Sequence, residues 1–224
     1  MSRPYICVAG LLEDGSAHVR PIAGQLHQTL AGRFGGPFEV GAVVDLGEVR
    51  PQPSAPETED HTFDPTVAAT VKALPKTDFW NLLKGASSTS LQTLFGPELE
   101  TLHTSRGLGA AVLPGKGARS LAVLRTQGTV TVNVETDYGG KQQVRVVFNS
   151  DLGELDLGTT DLRVYNNDYT VNKEAVSRVQ DLLKSSDEIL LGVGLARAFA
   201  RKGDRKRHWL QANAIYTESD PAWS

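Results

Sequence analysis

Cationic side chains are concentrated in one short stretch of this sequence, residues 201–208. The stretch contains five Lys or Arg residues and one Asp, a formal charge of +4, while the 224-residue chain carries −3 and the remainder therefore −7. A dense group of cations on an acidic protein is suited to binding phosphate groups. The residues that we expect to contact phosphates here are Arg197, Arg201, Lys202, Arg205, Lys206 and Arg207.

Three residues outside this group are candidates for the same surface. Arg125 and Arg145 lie in predicted strands, and they extend the basic track if their side chains face outward. Trp209 abuts the basic stretch, where an indole ring either stacks on a nucleic-acid base or packs into the core.

Arg20 precedes a proline, which favours extended backbone at the arginine. Its guanidinium either binds a phosphate or pairs with a carboxylate, such as that of Asp45 or Asp161. In the second case it is a structural residue rather than part of a binding surface.

Residues that could perform catalysis or hold a metal are scattered along the chain. No two of the five His residues stand at metal-ligand spacing with a nearby carboxylate on one element. The glycine-rich stretch 109–117 resembles a phosphate-binding loop, but Gly117 stands where the hydroxyl that binds magnesium is needed. We therefore expect no enzymatic activity, no metal site and no cofactor.

The basic stretch is positioned by two predicted strands that form a hairpin over residues 188–216. Apolar residues alternate with smaller ones from Ile189 to Leu195, and a second extended run begins at Trp209. The hairpin places the cations in an exposed connection.

Elsewhere the sequence predicts mostly strands, with a few helices. Helices are predicted over residues 78–83, 88–95 and 172–184, and one is predicted to begin at Asp64, followed by Pro65 at its first position. Residues 51–59, rich in proline, are predicted to form a surface loop. Cys7 lies in a strand-like run and is predicted to be a buried, reduced thiol.

The best boundary in the chain is the polar, glycine-containing stretch 114–118. It divides the chain into residues 1–113 and 119–224, and each half runs strands, helix, strands. OB barrels place a helix between their third and fourth strands. We therefore predict a mainly β protein of two OB-like five-stranded barrels in tandem, the first with a helical insert. A single β-sandwich with inserted helices is the alternative.

A series of short motifs resembles the dual OB-containing domain family of prokaryotes. The motifs occur in this order: Cys7-Val8-Ala9-Gly10, Val19-Arg20-Pro21, Val43-Val44-Asp45-Leu46, Thr160-Asp161, Val193-Gly194-Leu195-Ala196 and the run from Trp209 to Ile215. The resemblance covers nearly the whole chain. It implies OB folds and a nucleic-acid-binding module. The family has an aromatic residue where this chain has His18.

These observations lead to a hypothesis of a non-enzymatic protein that binds nucleic acid, single strands included. The alternatives are a module that binds a protein partner, and a nucleotide sensor with Arg20 and Asp161 in a pocket between the barrels. No apolar run reaches the ~18 residues of a membrane helix, and the N-terminus lacks a signal-peptide layout. We expect a cytoplasmic protein with no membrane partner.

Overall fold

Strands form most of the regular structure in the computed structural model, which describes residues 4–136, 139–200 and 204–223. The first half contains β1 (Tyr5–Ile6), β2 (Gly10–Leu11), β3 (His18–Ile22), β4 (Leu26–His27), β5 (Ala42–Asp45), β6 (Arg50–Pro51), β7 (Asp60–Thr62), β8 (Ala69–Ala73), α1 (Lys76–Gly85), β9 (Ser87–Ser88), α2 (Leu91–Phe95), β10 (Glu100–Thr104) and β11 (Gly107–Val112). The second half contains β12 (Leu121–Arg125), β13 (Val130–Thr136), β14 (Gln142–Ser150), β15 (Gly153–Gly158), α3 (Lys173–Lys184), β16 (Ile189–Leu195) and β17 (His208–Thr217). The predicted mainly β class is confirmed.

In the second half, strand pairings run in a ring. β12 pairs antiparallel with β16, and β16 pairs antiparallel with β17. Just after β15, a parallel bridge joins Thr159 to Ala212 of β17. β15 pairs with β14, and β14 pairs with β13, which continues the chain from β12. If β12 and β13 are counted as one bent strand, this is the five-stranded OB order, with α3 between the third and fourth strands.

Alternating apolar residues explain why this ring forms. Val144, Val146 and Phe148 of β14 are fully buried, and their neighbours along the strand point to the other face. α3 closes the core because Val176 and Val179 pack against it. The helix begins where predicted, since the Asn172 side chain accepts a hydrogen bond from the backbone N–H of Ala175 at 3.0 Å. The predicted closing hairpin is β16–β17.

The first half is built from shorter sheets. β3 lies between β2 and β7 and pairs parallel with β7, while β5 pairs with β8 and β1 with β4. The helix predicted to begin at Asp64 is wrong. The Asp64 carboxylate accepts hydrogen bonds from the N–H and hydroxyl of Thr66, which makes a turn, and the chain continues into β8. Val67 and Val71 are exposed, so this segment has no apolar face with which to pack as a helix.

The strands before and after residues 114–118 lie in one sheet, with the order β10-β11-β17-β16-β12-β9. The predicted helices at residues 78–83 and 88–95 are observed as α1 and α2. α1 packs Trp80 and Leu83 against Val123 of β12 and Leu190 of β16. The division into residues 1–113 and 119–224 stays a prediction, and the sheet runs across it.

Cys7 is exposed, so the predicted burial of its thiol is wrong. The strand-like run around Cys7 is split into β1 and β2, and Cys7 lies in the irregular segment between them. Only Ile6 of this region contributes a buried side chain to the small core of the first half.

We expect the exposed Cys7 thiol to react with a maleimide reagent in the native protein at nearly its rate in denaturant, because the reagent can reach an exposed side chain without unfolding. Mass spectrometry over a time course measures the labelling, and Cys7→Ser is the control that should take up no label. Labelling that requires denaturant would contradict the exposed position.

Candidate nucleic-acid interface

Two loops leave the same end of the six-stranded sheet. β11 ends at Val112, which is paired with His208 at the start of β17. β12 begins at Leu121, which is paired with Gly194 near the end of β16. Loop 113–120 and loop 196–207 therefore emerge side by side. The second of them joins the fourth and fifth OB strands, a connection through which OB folds contact oligonucleotides.

We call the cations of these two loops the basic end. Its members in the described part of the chain are Lys116, Arg119, Arg197, Arg205, Lys206 and Arg207. Arg201 and Lys202, which were predicted to contact phosphates, lie outside the described residues. The members differ in how much of their charge is open to a ligand.

Arg207 is buried, and its charge is already paired. Its Nη1 lies 3.3 Å from Oε2 of Glu100, and its Nε lies 3.3 Å from Oδ2 of Asp204. Its backbone N–H and C=O both bond to Phe199 across the base of the loop. The guanidinium that was expected to contact phosphate thus holds the base of loop 196–207 against β10.

Arg197 is paired on one side and open on the other. Its Nη2 lies 2.6 Å from Oδ2 of Asp60, and its Nη1 lies 3.2 Å from Oε1 of Glu57, yet 56% of the side chain is exposed. Arg205 and Lys206 are exposed and form no ion pair with another described residue. Lys116 and Arg119 of loop 113–120 are also exposed and form no ion pair with another described residue, so the open charge of the described basic end lies at these two residues and at Arg205 and Lys206.

Three carboxylates lie buried beneath the basic end, and two of them are in the segment that was predicted to be a surface loop. Glu57, Glu59 and Asp60 are each less than 10% exposed, which corrects that prediction for the end of residues 51–59. Carboxylates are buried only when they are hydrogen-bonded or paired, and here each one is. The sequence signal that could have indicated this role was the occurrence of three acids within four residues. The fold then brings these acids close to the cationic hairpin.

Glu59 ties this segment to the start of β12. Its Oε1 accepts hydrogen bonds from the backbone N–H of Ser120 at 2.9 Å and of Leu121 at 3.1 Å. Its Oε2 accepts one from the Ser120 hydroxyl at 2.9 Å. Burial lowers the pKa of the nearby His18 to about 4, although the charge of Glu59 acts in the opposite direction. The imidazole is therefore neutral at pH 7.

Arg20 is buried on β3, and its carboxylate partner is Asp60, not Asp45 or Asp161 as expected. Arg20 Nε lies 2.5 Å from Oδ1 of Asp60, whose other oxygen binds Arg197. The partner differs because β3 pairs in register with β7, which sets Arg20 beside Asp60. Sequence alone gives no such pairing.

Asp161 has a different set of partners from Arg20. Its carboxylate accepts hydrogen bonds from Arg163 and from the backbone N–H of Ile215. The Arg163 guanidinium also lies 3.9 Å from the centre of the Trp223 ring, which holds the C-terminal segment on the barrel. Burial raises the pKa of the adjacent Tyr216 to about 12. These contacts make Asp161 part of a structural cluster.

The remaining predicted site residues lie away from the basic end or inside the fold. Arg125 pairs with Glu188 at 3.3 Å, and Arg145 pairs with Asp156 at 2.9 Å. Trp209 is 4% exposed and lies opposite Ala111 in the sheet, so its ring is part of the core.

The outer face of β14 and β15 is covered in part by the β10–β11 hairpin. Gly107 has a φ of +130°, and a Cβ at that position would lie 3.3 Å from the Cβ of Asp156. Arg106 Nε lies 3.8 Å from Oε2 of Glu135 on β13. OB folds use this strand face to bind oligonucleotides. Here the chain's own hairpin lies against it, and the Arg145–Asp156 ion pair lies on the same face.

Two further features of the described residues bear on function. No group of three or more His, Cys, Asp or Glu residues there could hold a metal ion, and no helix there is long and apolar enough to cross a membrane. An open groove of about 730 Å³ lies between β13 and the end of α3.

Comparison with known protein families matches residues 2–215 to the dual OB-containing domain. The chain belongs to the dual OB-containing domain family. Membership confirms the resemblance found in the sequence, and the ring of pairings from β12 to β17 agrees with the OB fold that the family name describes. Searches of curated proteins and of solved structures gave no significant match.

We expect Glu59→Ala to lower the free energy of unfolding by about 2–4 kcal/mol, because it leaves the buried N–H groups of Ser120 and Leu121 without an acceptor. Denaturant unfolding followed by circular dichroism measures the change. The control is Glu13→Ala, which removes an exposed pair with Lys72 and should cost less than about 1 kcal/mol. Equal losses for the two variants would contradict a structural role for Glu59.

Proposed function

We propose that this dual OB-containing protein binds nucleic acid through the basic end and catalyses no reaction on it. The observation that carries the proposal is the placement of open cations on the loop between the fourth and fifth OB strands. Arg205 and Lys206 are exposed and unpaired among the described residues, and Arg197 is half open. Arg201 and Lys202 add two charges in the same loop by sequence.

Paired carboxylates support this proposal because they fix the loop. Glu57 and Asp60 hold Arg197 at the start of loop 196–207, and Glu100 holds Arg207 at its end. A loop that is fixed at both ends presents its cations from a defined place, so less conformational entropy is lost when a phosphate backbone binds.

Binding of this kind depends on phosphates rather than on base sequence. Each cation that neutralises a phosphate releases a counterion, so affinity falls as salt rises. Arg20, Arg125, Arg145 and Arg207 are already paired with carboxylates, and we do not place them among the residues that bind phosphate.

We expect a fourfold replacement of Arg201, Lys202, Arg205 and Lys206 by Ser to weaken binding equally for oligonucleotides of unrelated sequence. The slope of log affinity against log salt should become shallower by up to about 2.8 for single strands and about 3.6 for duplexes, because each phosphate that is no longer neutralised removes roughly 0.7–0.9 from it. Fluorescence anisotropy with labelled single and double strands at several salt concentrations measures both effects.

The matched control replaces four exposed cations elsewhere, namely Arg50, Lys72, Lys173 and Lys184. It changes the net charge by the same amount and should leave the salt slope nearly unchanged. An unmutated protein that binds no oligonucleotide at low salt would overturn the proposal and favour a protein partner. Equal losses in both fourfold variants would overturn the placement at the basic end.

A further inference from the structure

Phe199 is an exposed aromatic residue in the middle of the basic end. The residue is 41% exposed, and it lies in loop 196–207 between Arg197 and the exposed cations Arg205 and Lys206. In the sequence, Trp209 is the aromatic residue next to the basic stretch and the first candidate for stacking. The fold buries the Trp209 ring and leaves Phe199 41% exposed.

The ring of Phe199 makes no contribution to the core of the described structure. It belongs to none of the three apolar clusters formed by the described residues. Among those residues it also stacks on no other ring and lies under no guanidinium. Leaving part of a phenyl ring in water forgoes some of the stabilisation that full burial would give, and the exposed part is available to a ligand.

The backbone of Phe199 is nevertheless held firmly. Its N–H donates to the carbonyl of Arg207 at 3.0 Å, and its carbonyl accepts from the N–H of Arg207 at 3.1 Å. Arg207 is in turn buried and paired with Glu100. The ring is therefore carried on a hydrogen-bonded bridge between two residues at the base of the loop.

A fixed, exposed aromatic ring among cations has the two components of a single-strand binding site. The cations attract the backbone, and the ring offers a surface on which a base can stack. A base within a duplex is already stacked on both sides and cannot use the ring. A protein partner could also bury the ring, but the open charge of Arg205 and Lys206 beside it favours a polyanion.

We propose that Phe199 is the residue that makes this protein prefer single-stranded over double-stranded nucleic acid, by stacking on one unpaired base. The inference rests on the proposed function and deepens it. The basic end supplies affinity for any strand, and Phe199 supplies the distinction between strands.

The test compares Phe199→Ala, Phe199→Leu and Phe199→Trp by anisotropy with matched single and double strands. Phe199→Ala should weaken single-strand binding by about 5- to 150-fold, the range for loss of one stacked base, and leave duplex binding nearly unchanged. Phe199→Trp should retain the preference, while Phe199→Leu should lose most of it because an apolar side chain without a π face stacks poorly. Val71→Ala, an exposed apolar residue on β8, is the control that should change nothing.

An oligonucleotide with abasic sites keeps its phosphates and loses its bases, so it isolates the stacking contribution. The unmutated protein should bind it more weakly than the intact strand, and Phe199→Ala should bind both alike. If Phe199→Ala weakens binding to intact and abasic strands equally, or leaves both unchanged, the stacking role is overturned.

The proposed function and this inference fail in different ways. Loss of binding in the fourfold Ser variant together with an unchanged single-strand preference in Phe199→Ala would keep the first and overturn the second. Unfolding should not obscure the result, since the ring lies outside the core clusters and Phe199→Ala should melt within a few degrees of the unmutated protein.

Discussion

The carboxylate of Asp60, bound by Arg20 on one oxygen and by Arg197 on the other, joins the two parts of this molecule. Arg20 and Asp60 come from paired strands of the first half, and Arg197 lies near the start of loop 196–207 in the second. All three charges are wholly or partly removed from water, so the arrangement is stable only while every partner is present. Removing one partner leaves a buried charge unpaired, which is why this contact constrains both the fold and the position of the basic end.

The surrounding acids extend the same constraint. Glu59 binds the start of β12, and Glu57 lies 3.4 Å from the imidazole of His208 at the start of β17. Together with Asp60 they fix the ends of both loops that form the basic end. The protein thus places negative charge beneath the surface and leaves positive charge on it. An acidic chain of net charge −3 can in this way present a local cationic surface.

The sequence predicted those parts of the structure that depend on local periodicity. α3 and the β16–β17 hairpin could be found because their apolar spacing and the Asn172 cap lie within a few residues of each other. Prediction from the sequence failed for residues whose burial depends on strands that are distant in the chain. Cys7 has a strand-like neighbourhood but no partner that covers it, and Glu59 looks solvated until Ser120 is placed beside it. The same reason explains Arg20, whose correct partner is set by the register of β3 with β7.

For the candidate site, too, the sequence showed local features but not the contacts that depend on the fold. The basic stretch was visible in composition, but composition does not distinguish a cation that is open from one that is already paired. Arg207 and Lys206 are adjacent in sequence, yet one is buried against Glu100 and the other is on the surface. Trp209 and Phe199 differ in the same way, because β17 places the indole in the sheet while the loop leaves the phenyl ring outside. The β10–β11 hairpin lies against the strand face that OB folds use for oligonucleotides. Among the described residues of the second half, the basic end combines open charge with an exposed aromatic ring.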